Sequence, residues 1–368
     1  MNIATDATTQ EADRVIQICN ACRYCEGLCA AFQAMASRRE FASADLDYLA
    51  NLCHNCTVCF HDCQFAPPHD FAINVPVAMS DLRLQSYRRH AWPAALGDAF
   101  NRNGLLMMAV TTISITLLMS LAFLLISNET LFGVHQGPGA FYRVIGHGLM
   151  IAVAGLTFGF SLVAMGVGFV KFWGATAPGS ASAASLVSAL SYSATLRYLD
   201  GGHGEGCSSI DDRASNLRRY YHHFTMWGFL LCFASTCVAT FYDYALGIQA
   251  PYPILSLPVL LGTIGGLGLL IGPAGLIWNK LKSNPETTRN QGMDYAFLAS
   301  LFLVSLTGLL LLALRETSAM GMFLLIHLGF ILGFFLMLPY SKFVHGMYRF
   351  IALVRFSAEQ GHSGHPRR

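Results

Sequence analysis

The chain has 368 residues, 54% of them hydrophobic and only 12% charged, with a formal net charge of +2. Soluble domains carry about 25% charged residues, so the composition points away from an ordinary soluble protein. A charge so near zero leaves no concentrated basic surface for a nucleic acid, and the length suits two domains. Residues 1–18 are polar and include Asp6, Glu11 and Asp13. They lack the basic start and apolar run of a secretory signal, so the segment before the first apolar stretch is expected to stay in the cytoplasm.

Eight of the eleven cysteines fall before Gln64, in two compact runs. The first, CNACRYCEGLC, holds Cys19, Cys22, Cys25 and Cys29; the second, CHNCTVCFHDC, holds Cys53, Cys56, Cys59 and Cys63. Both read C-x2-C-x2-C-x3-C, the spacing of bacterial [4Fe–4S] ferredoxins, in which the fourth cysteine of each run ligates the other cluster. The expected sets are therefore Cys19, Cys22, Cys25 and Cys63 for a first cluster, and Cys53, Cys56, Cys59 and Cys29 for a second. Zinc takes its four ligands as paired C-x2–4-C units, and a triple C-x2-C-x2-C favours clusters over it. Dense cysteine in a reducing compartment also points to metal rather than disulfides. Ala30 and Gln64 follow the fourth cysteines where the ferredoxin motif has proline. Residues 30–52 read as helix, so the expected fold is an α-helical ferredoxin-like domain over residues 1–103. His54, His61 and His69 are read as hydrogen-bonding neighbours of the clusters.

Composition shifts near Gly104. Six apolar stretches follow, at 104–126, 141–172, 224–246, 254–277, 295–314 and 321–343. Each reaches the roughly 20 residues that span a bilayer, which predicts a six-helix transmembrane domain over 104–346 and an all-α protein. Arg83, Arg88, Arg89 and Arg102 precede the first stretch, and Lys171, Arg197, Arg213, Arg218 and Arg219 lie between the second and third. Lys280, Lys282 and Arg289 lie between the fourth and fifth, and Lys342, Arg349, Arg355, Arg367 and Arg368 close the chain. The opposite loops hold only Arg143 and Arg315. Basic loops stay inside, so the expectation is a multi-pass protein of the bacterial inner membrane with both termini cytoplasmic and residues 347–368 as a tail. Residues 175–193, rich in Ala, Ser and Gly, read as a flexible connection. The Gly-rich segment 201–207 reads as a turn, with docking on the cluster domain as the sharper reading.

A histidine inside a membrane helix is a functional hypothesis by default. His147 and His327 lie near the outer ends of the second and sixth stretches; His222 and His223 open the third, and His345 ends the sixth. Neighbouring residues differ by about 100° on a helix, so His222 and His223 cannot both face inward. His222 shares its face with Thr225, Cys232, Thr236 and Asp243 and is the preferred ligand. The matched depths predict an inner b haem on His222 and His345 and an outer one on His147 and His327; one haem or two stays open. No C-x-x-C-H occurs, which argues against c-type attachment. His327 and His345 are 18 residues apart, five turns and about 27 Å along one helix, with Pro339 between them as a potential kink. Two haems at these depths would carry electrons toward the outer leaflet.

The last segment, HLGFILGFFLMLPYSKFVH, resembles the haem-bearing helix of the respiratory nitrate reductase gamma subunit. There a single helix supplies two further ligands ten residues apart; here the position ten beyond His222 is Cys232. The whole chain resembles the tricarballylate (citrate) utilisation protein B family, with ATLRYLDGGHGEGC and RRYYHHFTMWGFLLCF carrying the match. That resemblance implies a partner, a cytoplasmic FAD-dependent dehydrogenase that oxidises tricarballylate to cis-aconitate. This subunit would reoxidise the flavin and pass electrons through the clusters and haem to quinone. Two other readings stand beside it. One is a relay for a different flavoprotein or a heterodisulfide-reductase-like complex; the other is a membrane redox sensor. The sequence carries no catalytic triad, phosphate loop or flavin motif, so substrate chemistry is assigned to the partner.

Overall fold

The computed structural model describes residues 6–102, 104–176, 181–201, 204–208, 210, 213–289 and 291–362. Among these the secondary structure is helical, and the one extended pairing is an isolated bridge between Cys207 and Ser215. The amino-terminal part comprises α1 (Ala7–Cys22), α2 (Ala30–Ala36), α3 (Ser43–Leu52), α4 (Val58–His61) and α5 (Val75–His90). Asp6 caps α1 by accepting from the Thr9 N–H at 2.9 Å, and Asn74 caps α5 at the Val77 N–H at 3.2 Å; each satisfies an orphan donor of the first turn. The first cysteine run spans the last turn of α1 and the loop to α2, and the second runs from the end of α3 through α4.

The bundle comprises α6 (Leu105–Leu125), the short helices α7 (Asn128–Leu131) and α8 (Ala140–Val144), α9 (His147–Thr176), then α10 (Ala183–Thr195), α11 (Leu217–Leu246), α12 (Leu257–Lys282), α13 (Gly292–Leu314) and α14 (Met320–Met337). Six of these helices are long and apolar enough to cross a membrane. Their outward residues are large and apolar, Leu124 at 80% and Leu156 at 75% exposure, which suits lipid rather than water. The chain is thus a multi-pass membrane protein. Helix α14 is central, packing on α6, α9 and α13, while α11 is attached mainly through α12. Small residues permit that attachment: a Cβ at Gly265 would lie 2.8 Å from the Cys232 backbone nitrogen, and one at Gly228 2.8 Å from the Gly265 carbonyl. This is the small-residue packing by which membrane helices approach closely.

Three expectations change. The connection at 175–193 is largely helix, α10, with Ala189 fully buried; residues 177–180 lie outside the described residues. Ser and Ala are good enough helix formers here because one face packs on a neighbour, which composition does not reveal. The last apolar stretch is not one helix to residue 343. It gives way at Leu338–Tyr340, where Pro339 cannot continue the hydrogen-bond ladder, and a new helix, α15 (His345–His362), begins. The five-turn shared face expected for His327 and His345 therefore does not exist. Finally, residues 347–362, expected as part of a cytoplasmic tail, continue a packed helix, α15. Ala352, Leu353, Val354 and Phe356 of α15 join Ala12, Val15, Leu46 and Leu49 in one buried cluster, because the helix carries an apolar face that needs a partner. Polar clasps fix it: Arg355 meets Asp45 at 2.6 Å and Glu359 at 2.9 Å, the Tyr48 hydroxyl donates to Glu359 at 3.1 Å, and Arg38 pairs with Glu359. Residues 363–368 lie outside the described residues.

Candidate functional site

The eight cysteines gather into two groups, and the groups are crossed. One cavity of about 230 Å³ is lined by Cys19, Cys22, Cys25 and Cys63, with Cys59 at its edge. A second, enclosed between α1, α3 and α5, is lined by Cys29, Cys53, Cys56 and Cys59. The electrostatic neighbours agree: Cys19 feels Cys25, Cys63 and Cys22, whereas Cys29 feels Cys56 and Cys53. Burial, and then the neighbouring thiols, push Cys19, Cys25 and Cys29 up to about 12. Such thiols ionise only beside a strong positive centre, and iron is one. Among the described residues no three His, Cys, Asp or Glu side chains converge as a single-ion site. A cubane asks for something else, since each thiolate caps a different iron. The residues thus fit two [4Fe–4S] groups in the exchanged arrangement.

The local backbone explains the cradle. Arg23, Asn55 and Thr57 adopt positive φ of 57°, 54° and 65°, turning the chain tightly enough between cysteines for three thiols to face one volume. Thr57 is held by the segment 204–208: its hydroxyl donates to the Ser208 carbonyl at 2.8 Å, and the Ser208 N–H donates to the Cys56 carbonyl at 3.2 Å. Cys207 is buried against the Cys56 thiol. Gly206, at φ +113°, leaves no room for a side chain, since a Cβ would sit 2.2 Å from Ser215. The glycines at 201–207 therefore do more than turn; the segment docks on the second cysteine run. Gly202 and His203 are outside the described residues.

Below this run lies the first histidine pair. The rings of His222 on α11 and His345 at the start of α15 stand 6.1 Å apart, centre to centre, and nearly perpendicular at 79°. Two imidazoles on one metal, each with a bond of about 2 Å, would have centres about 6 Å apart. The Nδ1–H of His345 donates to the Lys342 carbonyl, which fixes the tautomer and leaves Nε2 as a lone-pair donor. Burial, and then His222, push His345 down to about 3, so it stays neutral. Nδ1 of His222 is buried without a hydrogen-bond partner. The residues present would suit two imidazole ligands to one metal. His223 points away and contacts the backbone of Thr195. His54, buried and held well below its ordinary range by burial and by Arg349, faces both the second cysteine run and His222. Sequence reasoning gave His54 no special place, because its depth depends on how α15 folds back.

The outer pair is not assembled. His147 Nε2 meets Asp243 Oδ2 on α11 at 2.8 Å and stacks near Tyr142 at 4.3 Å. His327 Nδ1 bonds Thr307 on α13 at 3.0 Å, and no ring contact joins His147 to His327 among the described residues. Nε2 of His147 is taken by Asp243 and the two rings do not meet, so matched depth alone does not bring these histidines together. Cys232 likewise sits in the α11–α12 contact, 3.9 Å from the Gly262 carbonyl.

Comparison with known proteins agrees with this layout. Residues 12–89 match the family model of the citrate utilization protein B Fer4-like domain, and residues 99–365 match that of citrate utilization protein B. A citrate utilization protein B of Escherichia coli is 47% identical over 355 residues, covering 95% of this chain and 92% of its own. No solved structure matches. The chain belongs to the citrate utilization protein B family.

Proposed function

We propose that this protein is the membrane electron-transfer subunit of an oxidoreductase complex. It takes electrons from a cytoplasmic flavoprotein and delivers them, through two [4Fe–4S] clusters and one b haem, to quinone. The observation that carries the reading is the line of sites: first cysteine group, second cysteine group, His54, then His222 and His345 at the mouth of the bundle. Iron–sulfur clusters and haem supply one-electron chemistry. The chain's own residues do the rest. Eight thiolates hold the clusters and, by exchanging Cys29 and Cys63, tie the two halves of the domain together. His345 and His222 present neutral imidazoles. The packed domain keeps water from the second group. The distribution of basic loops supports an inner-membrane orientation with the cluster domain in the cytoplasm, where Cys22 and Tyr24 are exposed to a soluble partner. Tricarballylate is the substrate proposed for that partner, on family resemblance.

Anaerobic purification with iron, sulfide and haem quantified tests the cofactor content: eight iron and eight sulfide in clusters and one haem per chain are expected. Stopped-flow mixing with reduced flavoprotein tests the relay, cluster bleaching being followed by haem reduction. A preparation with zinc in place of iron, or haem that stays oxidised while the clusters are reduced, would overturn it. Tricarballylate fails as the substrate if its dehydrogenase leaves the clusters oxidised while another reduced flavoprotein bleaches them.

A further inference from the structure

Three arginines converge on the second cysteine run, and the carbonyls they hold do not balance their charge. Arg83 donates from Nε to the Ala50 carbonyl at 2.8 Å and from Nη2 to the Cys53 carbonyl at 2.6 Å. Arg349, on α15, donates to the Asn51 carbonyl at 3.3 Å and again to Cys53. Arg218, at the start of α11, donates to the carbonyls of Asn55 and His54, the latter at 3.2 Å. Among the described residues none of the three forms a salt bridge to a carboxylate, whereas Arg14, Arg38, Arg88, Arg89, Arg315 and Arg355 do. Arg83 is only 6% exposed, and Arg349 is pushed down to about 10 by burial and by Arg83. Buried cations are costly unless paired, so this cradle is built for an anion. A [4Fe–4S] centre held by four thiolates is that anion, and it gains one further negative charge on reduction. Arg349 bears on Cys53 and Arg218 on Cys56. The first cysteine group faces the opposite sign: Asp62 lines its cavity and bears on Cys25, and Cys22 is exposed.

We infer that the second cluster is the higher-potential member of the pair, and that Arg83, Arg218 and Arg349 are the positioning residues that set this order. The inference rests on the two-cluster reading above and adds a direction to it. Net charge, hydrogen bonds to sulfur and solvent exposure set a cluster's potential. Burial alone would lower the second potential, because the reduced form carries more charge. Fixed guanidiniums act the other way, and the extra electron relieves the burial of the cations themselves. One electron then passes from the exposed first cluster, which is oxidised, to the interior second cluster, which is reduced. From there it faces His54 and the His222–His345 pair.

Redox titration of the purified protein, followed by electron paramagnetic resonance, tests this. Two one-electron steps are expected, and Cys22→Ser should perturb the signal of the lower step. Arg349→Gln and Arg218→Gln should each shift the upper midpoint downward and leave the lower one in place, at unchanged iron content. Arg349→Lys and Arg218→Lys, which keep the charge, should shift it less. If Arg349→Gln lowers the iron content, Arg218→Gln and its lysine counterpart decide. Two clusters with midpoints that none of these variants moves, or a Cys22→Ser change in the upper signal, overturn the inference and leave the two-cluster reading intact. Wild-type protein without two clusters overturns that reading itself.

Discussion

A substitution at a residue that is not itself a proposed ligand should break the histidine pair. At Gly272 on α12 a Cβ would lie 2.4 Å from Thr225 Oγ1, 2.5 Å from the Thr225 backbone nitrogen and 2.8 Å from the Tyr221 carbonyl. Two of these atoms are backbone and cannot rotate away. Carbon contacts settle at about 3.5 Å, so α11 must retreat from α12 by about 1 Å to admit even alanine. His222 lies between Tyr221 and Thr225 on α11 and moves with them, while His345 is anchored on α15. Metal ligands tolerate about 0.2 Å, so in the proposed haem site a shift of about 1 Å would cost one of the two histidine ligands. Gly272→Ala should therefore bring haem content below that of wild type, or convert its spectrum from six-coordinate to five-coordinate, with cluster iron unchanged. The assay is the pyridine haemochrome ratio with the visible spectrum of the same sample. A Gly272→Ala protein with full haem and an unaltered spectrum would refute the claim that α11 is positioned through α12.

Other outcomes follow from the same geometry. His345→Ala should abolish low-spin haem, whereas His147→Ala should leave it untouched, the spectrum of each variant being the measurement. Cys29→Ala should damage the resonance signal of the cluster held by Cys53, Cys56 and Cys59; loss of the first cluster's signal alone would contradict the exchange. Asp294 sits between Lys280 at 2.7 Å and Lys342 at 2.9 Å, all partly exposed. Removing one partner of a buried ion pair costs about 3–5 kcal/mol, so Asp294→Asn should cost somewhat less, about 2–4 kcal/mol, read by denaturation in detergent. Asp47 is raised to about 6 because burial outweighs its 2.7 Å contact with Arg89. Its unfolded value is near 3.9, so the charged form is penalised only when folded. Stability relative to Asp47→Asn should fall by up to about 3 kcal/mol as pH rises from about 4 to about 6; a flat difference would argue against it.

Local spacing made the cysteine sets legible. A C-x2-C-x2-C run fixes three thiols on one turn whatever surrounds it, and the exchange of the fourth cysteines is expected from the bacterial ferredoxin pattern. The six apolar segments were legible for a similar reason, because a bilayer selects by length and hydropathy. The preference for His222 over His223 came from a polar stripe on α11, and it is His222 that faces His345. What depth could not supply was lateral position. His147 and His327 stand at comparable heights, yet Asp243 and Thr307 take their ring nitrogens, and no periodicity reports a partner on another helix. The helix within 175–193 and the packing of 347–362 were not legible, because both depend on tertiary burial of Ala189, Leu353 and Phe356, which composition does not encode.

The fold-back of α15 removes the division that composition drew at Gly104. This one helix begins with His345 at the mouth of the bundle. One turn later, about 6 Å along its axis, Arg349 grips the carbonyl of Cys53. Two turns further, Arg355 and Glu359 close on Asp45, Arg38 and Tyr48. A rigid element thus joins a histidine of the proposed haem site to the backbone of the second cysteine run, and the α3 contacts hold it in register. Proline at 339 is what makes this possible: had α14 continued straight, its polar end would have projected away from the bundle, and the cluster domain would have lacked both its last core helix and one of its three arginines. The break that spoils the expected shared face of His327 and His345 is therefore the same feature that brings His345 within 6.1 Å of His222. A chain truncated after Tyr340 would keep all six spans and all eight cysteines of the two runs. It should nevertheless lose the low-spin haem spectrum and expose the apolar face of α3 and α5 together.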